Sequence, residues 1–187
     1  EKAVISVGHY IARKGLPEFV ELARSMPQVR FFWFGYTPLE LVPAEIREAI
    51  ASAPANVTFP GFVGREELRD AYCGCDVFAF LSHEETEGIV VLEALSCGIP
   101  TVLRDIPVYQ GWIPEGPGIW KARDAAGFRQ AVGEALTCPL HDTNKAGRSI
   151  ALSRRLESVG QSLAAIYQKE FLVPQNENND QSKEVIS

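Results

Sequence analysis

Short, nearly continuous apolar runs alternate along the chain with segments in which apolar residues recur every three or four positions. The apolar runs predict strands, at 4–7, 29–34, 56–59, 76–81, 101–103 and 118–120. The segments between them predict helices at 16–25, 39–53, 65–73, 88–97 and 124–137, with a largely helical stretch over 143–171. Strands that lack polar alternation are typical of a parallel sheet covered by helices on both faces. The pattern therefore predicts an α/β fold with a doubly wound, Rossmann-like parallel sheet.

Helix ends are marked by residues with known preferences. Asp124 is placed to cap the helix that follows it, because a carboxylate accepts hydrogen bonds from the free amide groups of the first turn. Gly98 and Pro100 are typical of a helix C-terminus, and we expect them to end the helix over 88–97.

Composition and charge narrow the classes of function. The chain has 187 residues, of which 46% are apolar and 22% are charged, and its net charge is -6. This is the balance of a globular domain, and the negative charge argues against binding of nucleic acid. No apolar run reaches the length of a membrane span, and the chain opens on a strand-like run rather than on a signal peptide. The cysteines lack a second pair at zinc-ligand spacing and fit a reducing, cytoplasmic setting.

One acidic residue interrupts the most apolar of the predicted helices. Every residue over 89–95 other than Glu93 is apolar, which predicts a helix that is buried on most sides. An ionised carboxylate in such a place is costly unless a partner bonds to it. The hydroxyl groups of a sugar or a ribose are suitable partners, and a core arginine is an equally good one. The residues alone leave both alternatives open.

The loop before this helix has features of a sugar and anion site. Glu85 follows the carboxyl end of a predicted strand, where sheets of this class bind ligands. Gly88 lets the backbone approach a ligand closely. The free amide groups of Gly88, Ile89 and Val90 can bind an anion at the start of the helix. The alternative is a solvated acidic loop.

The residues ETEGIVVLE, in which seven residues separate Glu85 from Glu93, resemble the E-x7-E motif of family 4 glycosyltransferases. The flanking stretches DVFAFLS and EALSCGIPTV, and the upstream stretches SVGHYIARKG and NVTFPGFVGREELRDAYCGCD, resemble other motifs of that family in the expected order. The stretch EETEGIVVLEAL is similar to glucosyltransferases of Gram-positive bacteria that build glycosyl-diacylglycerol lipids. The resemblance covers residues 4 to about 170. It implies the C-terminal, donor-binding domain, which is one half of a GT-B fold.

The resemblance also implies a domain organisation. Residues 1–171 would form the nucleotide-sugar-binding domain, and residues 172–187 a polar, flexible tail. An N-terminal acceptor domain would be absent from this chain, and the acceptor would bind mainly to that domain. The implied donor is UDP-glucose, the implied acceptor is diacylglycerol, and no metal cofactor is expected. The implied location is cytoplasmic, at the inner face of the membrane.

Family roles for the two glutamates map onto this sequence. The second glutamate of the motif binds the ribose hydroxyls in the family, and here it is Glu93. The first lies near the donor hexose and phosphate, and here it is Glu85. The family usually has E-G-F-G in this loop, whereas this chain has Thr86 and Glu87 at the two middle positions. These departures bear on how the sugar is held.

The diphosphate of the donor needs positive charge. The family uses a lysine in the first loop, which maps to Lys14. It also uses an arginine directly after the first-loop glycine, but here Gly8 is followed by His9. Arg13, next to Lys14, can supply the missing charge. The alternative for the Arg13–Lys14 pair is an ordinary solvated loop.

The resemblance places the uracil base against Phe62 and Val63, where backbone groups can contact its edge. The alternative is a plain turn at the end of a strand. The implied reaction is transfer of a hexose with retention at the anomeric carbon, with Glu85, Lys14 and Arg13 as the catalytic residues. Two rival hypotheses are another GT-B enzyme, such as a sugar-nucleotide epimerase, and a non-catalytic nucleotide-binding module.

Overall fold

Parallel strands form one six-stranded sheet at the centre of the fold. The computed structural model describes residues 1–138 and 140–171, so the predicted tail over 172–187 lies outside the described residues. The strands are β1 Ala3–Val7, β2 Arg30–Phe34, β3 Val57–Gly61, β4 Val77–Phe80, β5 Thr101–Arg104 and β6 Ile119–Ala122. Each predicted strand is present, with its ends moved by at most two residues.

The strands lie in the order β3-β2-β1-β4-β5-β6, and every neighbouring pair is parallel. The order reverses between β1 and β4, which pair at the centre of the sheet. The connections leave the sheet in opposite directions from this point, and a crevice opens beyond the carboxyl ends of the two strands. The predicted doubly wound α/β fold is confirmed.

Helices cover both faces of the sheet. The helices of the described residues are α1 Leu16–Arg24, α2 Ala44–Ala51, α3 Arg65–Gly74, α4 Ile89–Cys97, α5 Ala125–Thr137, α6 Leu140–Ser153 and α7 Leu156–Phe171. One core cluster takes its helical residues from α1, α2 and α5, and the other takes them from α3 and α4. Side chains that alternate along β1 enter the two clusters in turn, Val4 on one face and Ile5 on the other. This alternation explains why most strand positions are apolar on both faces of the sheet.

The helix predicted over 39–53 is shorter in the structure. Leu39–Leu41 form a 3₁₀ turn, and α2 begins only at Ala44. Pro43 lacks an N–H group and disfavours helical backbone at the residue before it, so Val42 is extended with φ −91° and ψ 136°. The largely helical stretch predicted over 143–171 is present as two helices, α6 and α7, of which α6 begins at Leu140.

The predicted cap of α5 is confirmed. Asp124 has extended backbone, and its Oδ1 accepts a hydrogen bond of 2.8 Å from the amide of Gly127. We expect Asp124→Ala to lower the free energy of unfolding by about 1 kcal/mol, because one amide of the first turn loses its acceptor. Urea denaturation measures this loss. Asp124→Asn keeps an acceptor oxygen and is the matched control, so an equal loss in both variants would contradict the capping role.

The chain divides into two compact units, Glu1–Leu152 and a second that begins at Ser153. The first contains the sheet and the helices from α1 to α5. The second contains α7, whose outward apolar side chains include Leu156 at 88% exposure. Among the helices within residues 1–138 and 140–171, none is both long and apolar enough to cross a bilayer.

Candidate functional site

Two loops meet at the crevice between β1 and β4. Residues 8–15 follow β1 and residues 81–88 follow β4, and the two strands are neighbours in the sheet. The backbone amide of His83 donates a hydrogen bond of 2.7 Å to the carbonyl oxygen of Arg13. Because carboxyl ends of parallel strands share one edge of the sheet, residues about 70 positions apart in sequence come into contact here.

A buried ion pair joins the two loops. Lys14 Nζ lies 2.5 Å from Glu85 Oε1, and the two side chains are only 12% and 6% exposed. The hydroxyl of Ser82 donates a bond of 2.7 Å to the same carboxylate oxygen. The ammonium group also lies 5.1 Å from the centre of the Phe80 ring, within range of a cation–π contact. The structure thus brings two predicted catalytic residues together and compensates both charges.

Arg13 binds the second loop from the solvent side. Its Nη1 donates a hydrogen bond of 2.7 Å to the carbonyl oxygen of Glu84 and lies 3.6 Å from Glu85 Oε1. The side chain is 44% exposed. In this arrangement the guanidinium group is directed at the loop that carries Glu85, so it holds the two loops together.

A cavity of about 220 Å³ lies beside this ion pair, at the carboxyl ends of β1 and β2. Many of the residues predicted to bind the donor line it. The lining consists of Val7, Gly8, His9, Lys14, Phe34, Gly35, Phe62, Val63, Leu68 and Val90. Phe62, which is predicted to contact the base, is 83% exposed to solvent.

Backbone contacts fix the first loop against β2. The amide of Gly8 donates to the carbonyl oxygen of Phe34 at 2.8 Å, and the carbonyl oxygen of Gly8 accepts from Trp33 Nε1 at 2.9 Å. His9 Nδ1 lies 3.1 Å from the carbonyl oxygen of Tyr36. A carbonyl oxygen only accepts, so Nδ1 carries the hydrogen in this bond and Nε2 is the second polar atom of the ring.

Glu93 lies one helical turn beyond Val90 on α4 and lines a second cavity of about 460 Å³. The two cavities share Leu68. The structure therefore places Glu93 beside the cavity that contains Lys14 rather than within it. Three residues along a helix correspond to a rise of about 4.5 Å on nearly the same face, which explains the offset.

The Glu93 carboxylate has a tyrosine as its partner. The Tyr72 hydroxyl donates to Glu93 Oε2 at 3.3 Å, where the sequence left a sugar hydroxyl and an arginine as alternatives. Burial, and then the charge of Glu93, raise the pKa of Tyr72, so this hydroxyl stays protonated and remains a donor. The other faces of the carboxylate can accept bonds from a ligand in the second cavity.

The helix α4 is less buried than its composition predicts. Ile89, its first residue, is 65% exposed, and the fully buried residues are Val91, Ala94 and Leu95. The physical reason is that the helix begins at the crevice instead of inside the core. Gly88 precedes it with φ +78°, and no side chain caps its first amide groups. These amides suit an anionic ligand.

The sequence over residues 1–150 matches the family described as "Glycosyl transferases group 1". The chain belongs to this glycosyltransferase family. The resemblance carried by the motifs at 85–93 and around them is thereby confirmed. Within this family, the nucleotide sugar is the donor substrate, and residues 1–138 and 140–171 contain no cluster of three or more His, Cys, Asp or Glu side chains that could hold a metal ion.

Two curated relatives are glycolipid enzymes. The processive diacylglycerol alpha-glucosyltransferase of Acholeplasma laidlawii is 38% identical over 169 residues, which cover 90% of this chain and 51% of that protein. The alpha-galactosylglucosyldiacylglycerol synthase of Streptococcus pneumoniae is 33% identical over 110 residues, which cover 57% of this chain and 29% of that protein. This glycosyltransferase chain thus spans about half the length of the first relative and less of the second.

A solved structure supports the fold. Sucrose-phosphate synthase from Thermosynechococcus elongatus superimposes with a TM-score of 0.81 at 24% sequence identity, over 92% of this chain and 46% of that chain. The match extends over almost the whole glycosyltransferase chain and under half of the solved one. It therefore shows that the sheet and helices of this chain have a GT-B, Rossmann-like arrangement.

Three polar residues near the predicted site escaped the sequence analysis. Ser82 is buried and bonds to Glu85, and its position just before the acidic loop was the available signal. Tyr72 lies on α3 and bonds to Glu93 on α4. Tyr109 lies beneath Gly88, and no local pattern indicates this contact because 20 residues separate the two.

Proposed function

We propose that this chain is the donor-binding half of a retaining hexosyltransferase that moves glucose from UDP-glucose to diacylglycerol. The observation that supports this most strongly is the crevice at the strand-order reversal, where Lys14 pairs with Glu85 and the uncapped helix α4 begins four residues after Glu85. The name of the first curated relative, a diacylglycerol glucosyltransferase, supports the choice of glucose and diacylglycerol. The name of the second, which contains galactose as well as glucose, supports only a diacylglycerol lipid as the product.

The cationic side of the crevice suits a diphosphate leaving group. Negative charge grows on the diphosphate as the bond to the anomeric carbon breaks, so groups that attract this charge stabilise the transition state more than the ground state. Lys14 supplies a full positive charge, and the amides of Ile89 and Val90 supply partial charges. His9 lines the same cavity and adds a hydrogen-bonding nitrogen.

The remaining predicted residues suit the sugar and the nucleoside. Glu85 pairs with Lys14 at the crevice, and a hexose attached to the diphosphate would lie beside it. Phe62 and Val63 line the cavity at the end of β3 and would contact the uracil. Glu93, in the adjoining cavity, would accept hydrogen bonds from the ribose hydroxyls. Arg13 would hold the Glu85 loop in place.

Acceptor recognition belongs, in this proposal, to a further N-terminal domain. The first relative is about twice as long as the region matched here, which supports an enzyme of two halves. The whole enzyme would work at the cytoplasmic face of the membrane, where its lipid acceptor lies, and would use Lys14 and the α4 amides in place of a metal ion. The rival hypothesis of a non-catalytic module is not favoured, because the family match extends over residues 1–150.

Calorimetric titration of the chain with UDP, GDP and ADP tests this proposal. We expect saturable binding of UDP and weaker binding of the other two nucleotides. Glu93→Gln should weaken UDP binding by about tenfold, because a charged acceptor for the ribose hydroxyls is lost. Glu48→Gln makes the same change on the exposed face of α2 and should leave the affinity unchanged. Equal affinity for all three nucleotides would contradict the assignment.

A further inference from the structure

The hydroxyl of Tyr109 is an exception among the buried polar groups. The residue is 0% exposed, and its oxygen makes no hydrogen bond to any residue that the structure describes. Most buried hydroxyls have a partner, because an unpaired one loses its bonds to water without replacement. A buried donor that is unpaired in the free protein is a candidate for a bond that forms only when a ligand binds.

Tyr109 lies under the loop that carries Glu85. It ends the 3₁₀ turn Pro107–Tyr109, and its ring packs edge-on against Trp112 with 5.9 Å between the ring centres. A Cβ atom on Gly88 would be 2.8 Å from the Tyr109 oxygen. Gly88 is three residues from Glu85, so the hydroxyl lies directly below the C-terminal end of the acidic loop.

The charge of Glu85 acts on the Tyr109 hydroxyl, which supports their proximity. Burial, and then the charge of Glu85, raise the pKa of Tyr109. The hydroxyl therefore keeps its proton at neutral pH and can donate. In the free protein Glu85 uses Lys14 and Ser82 as its partners instead, at 2.5 Å and 2.7 Å.

A bound diphosphate would disturb the ion pair of Lys14 and Glu85. The phosphate oxygens compete for the Lys14 ammonium, since both they and the carboxylate carry negative charge. When the ammonium turns to the phosphate, a carboxylate that is 6% exposed loses its closest cation. A buried carboxylate in this position needs another donor.

We propose that Tyr109 is a positioning residue, whose hydroxyl binds the Glu85 carboxylate once the donor diphosphate has drawn Lys14 away. This inference rests on the proposed function. In the free state Lys14 and Glu85 neutralise each other, and the Tyr109 hydroxyl is unused. In the bound state Lys14 pairs with the diphosphate, and Tyr109 fixes Glu85 beside the sugar.

Stability of the free protein provides the first test, and it needs no ligand. Tyr109→Phe should leave the midpoint of thermal unfolding unchanged or raise it, because the hydroxyl has no partner to lose. Ser6→Ala is the matched control, since Ser6 is another fully buried hydroxyl with no partner among the described residues. In a Lys14→Met background, the Tyr109 hydroxyl should donate a hydrogen bond to Glu85 even without a ligand. Tyr109→Phe should then lower the midpoint of thermal unfolding by about 3–12 °C.

Titration with UDP-glucose provides the second test. Tyr109→Phe should weaken the affinity by about tenfold to a hundredfold, the effect of losing a hydrogen bond to a charged group. Ser6→Ala should bind as the unmodified chain does. In the Lys14→Met background, Tyr109→Phe should have no further effect on affinity, because the exchange of partners no longer occurs.

The outcomes separate this inference from the proposed function. Equal affinity of the Tyr109→Phe variant and the unmodified chain would overturn the positioning role while leaving the proposed function intact. A lower unfolding midpoint for Tyr109→Phe alone would show that the hydroxyl is already paired in the free protein and would also overturn it. Absence of UDP-glucose binding by the unmodified chain would overturn the proposed function, and this inference with it.

Discussion

Replacing Lys14 with methionine is expected to weaken UDP-glucose binding by about a hundredfold, the loss that follows removal of one partner from a desolvated charge pair. The same change should lower the free energy of unfolding by about 3 kcal/mol, because Glu85 is left as a buried carboxylate without its closest cation. The side chains are 12% and 6% exposed, so water compensates little of this loss. Calorimetry measures the first effect and urea denaturation the second.

Two controls separate the roles of the ion pair. Lys14→Met combined with Glu85→Gln removes both charges, and should recover most of the stability but none of the affinity. Lys2→Met breaks a pair with Asp76 of similar length, 2.7 Å, in which the lysine is 54% exposed. Exposed pairs contribute about 0–1 kcal/mol, so this change should have little effect on stability. If Lys14→Met bound UDP-glucose normally, the diphosphate could not lie at this crevice.

The fold was largely predictable because its strands are short and mostly apolar, a pattern with few alternatives once helices alternate with them. The cap at Asp124 was predictable for the same kind of reason, since its bond to the amide of Gly127 is local. The error at 39–53 arose where helical periodicity continues across Pro43, whose covalent structure decides where α2 begins.

The candidate site was predictable only in part. The positions of Lys14 and Glu85 followed from the resemblance, together with the rule that loops at the carboxyl ends of neighbouring strands meet, and the structure places these side chains in contact. The contact of Tyr72 with Glu93 and the contact of Tyr109 with Gly88 were not predictable. Each contact crosses between elements that are far apart in sequence, and it depends on which way a helix or turn is rotated. A linear pattern does not contain that rotation.

Gly35→Ala is expected to lower the free energy of unfolding by about 2–5 kcal/mol, the sum of left-handed backbone strain and overpacking. Gly35 has φ +119°, and a Cβ atom there would lie 2.2 Å from the carbonyl oxygen of Gly8. Both residues line the cavity beside Lys14, and Gly8 is held to β2 by the hydrogen bond that its amide donates to the carbonyl oxygen of Phe34. The new methyl group would force the first loop away from β2, so nucleotide binding should be lost as well.

Gly61→Ala is the control that separates the two causes. Gly61 also has a positive φ, +84°, and its carbonyl oxygen accepts the 2.8 Å bond from the Gly35 amide, yet a Cβ atom there would meet nothing within 4 Å. Backbone strain alone should therefore act, at about 1–2 kcal/mol. Urea denaturation of the two variants measures the difference. An equal loss of stability in Gly35→Ala and Gly61→Ala would show that close packing of Gly35 against Gly8 does not hold the first loop in place. The ion pair of Lys14 and Glu85 would then be the contact that shapes the cavity.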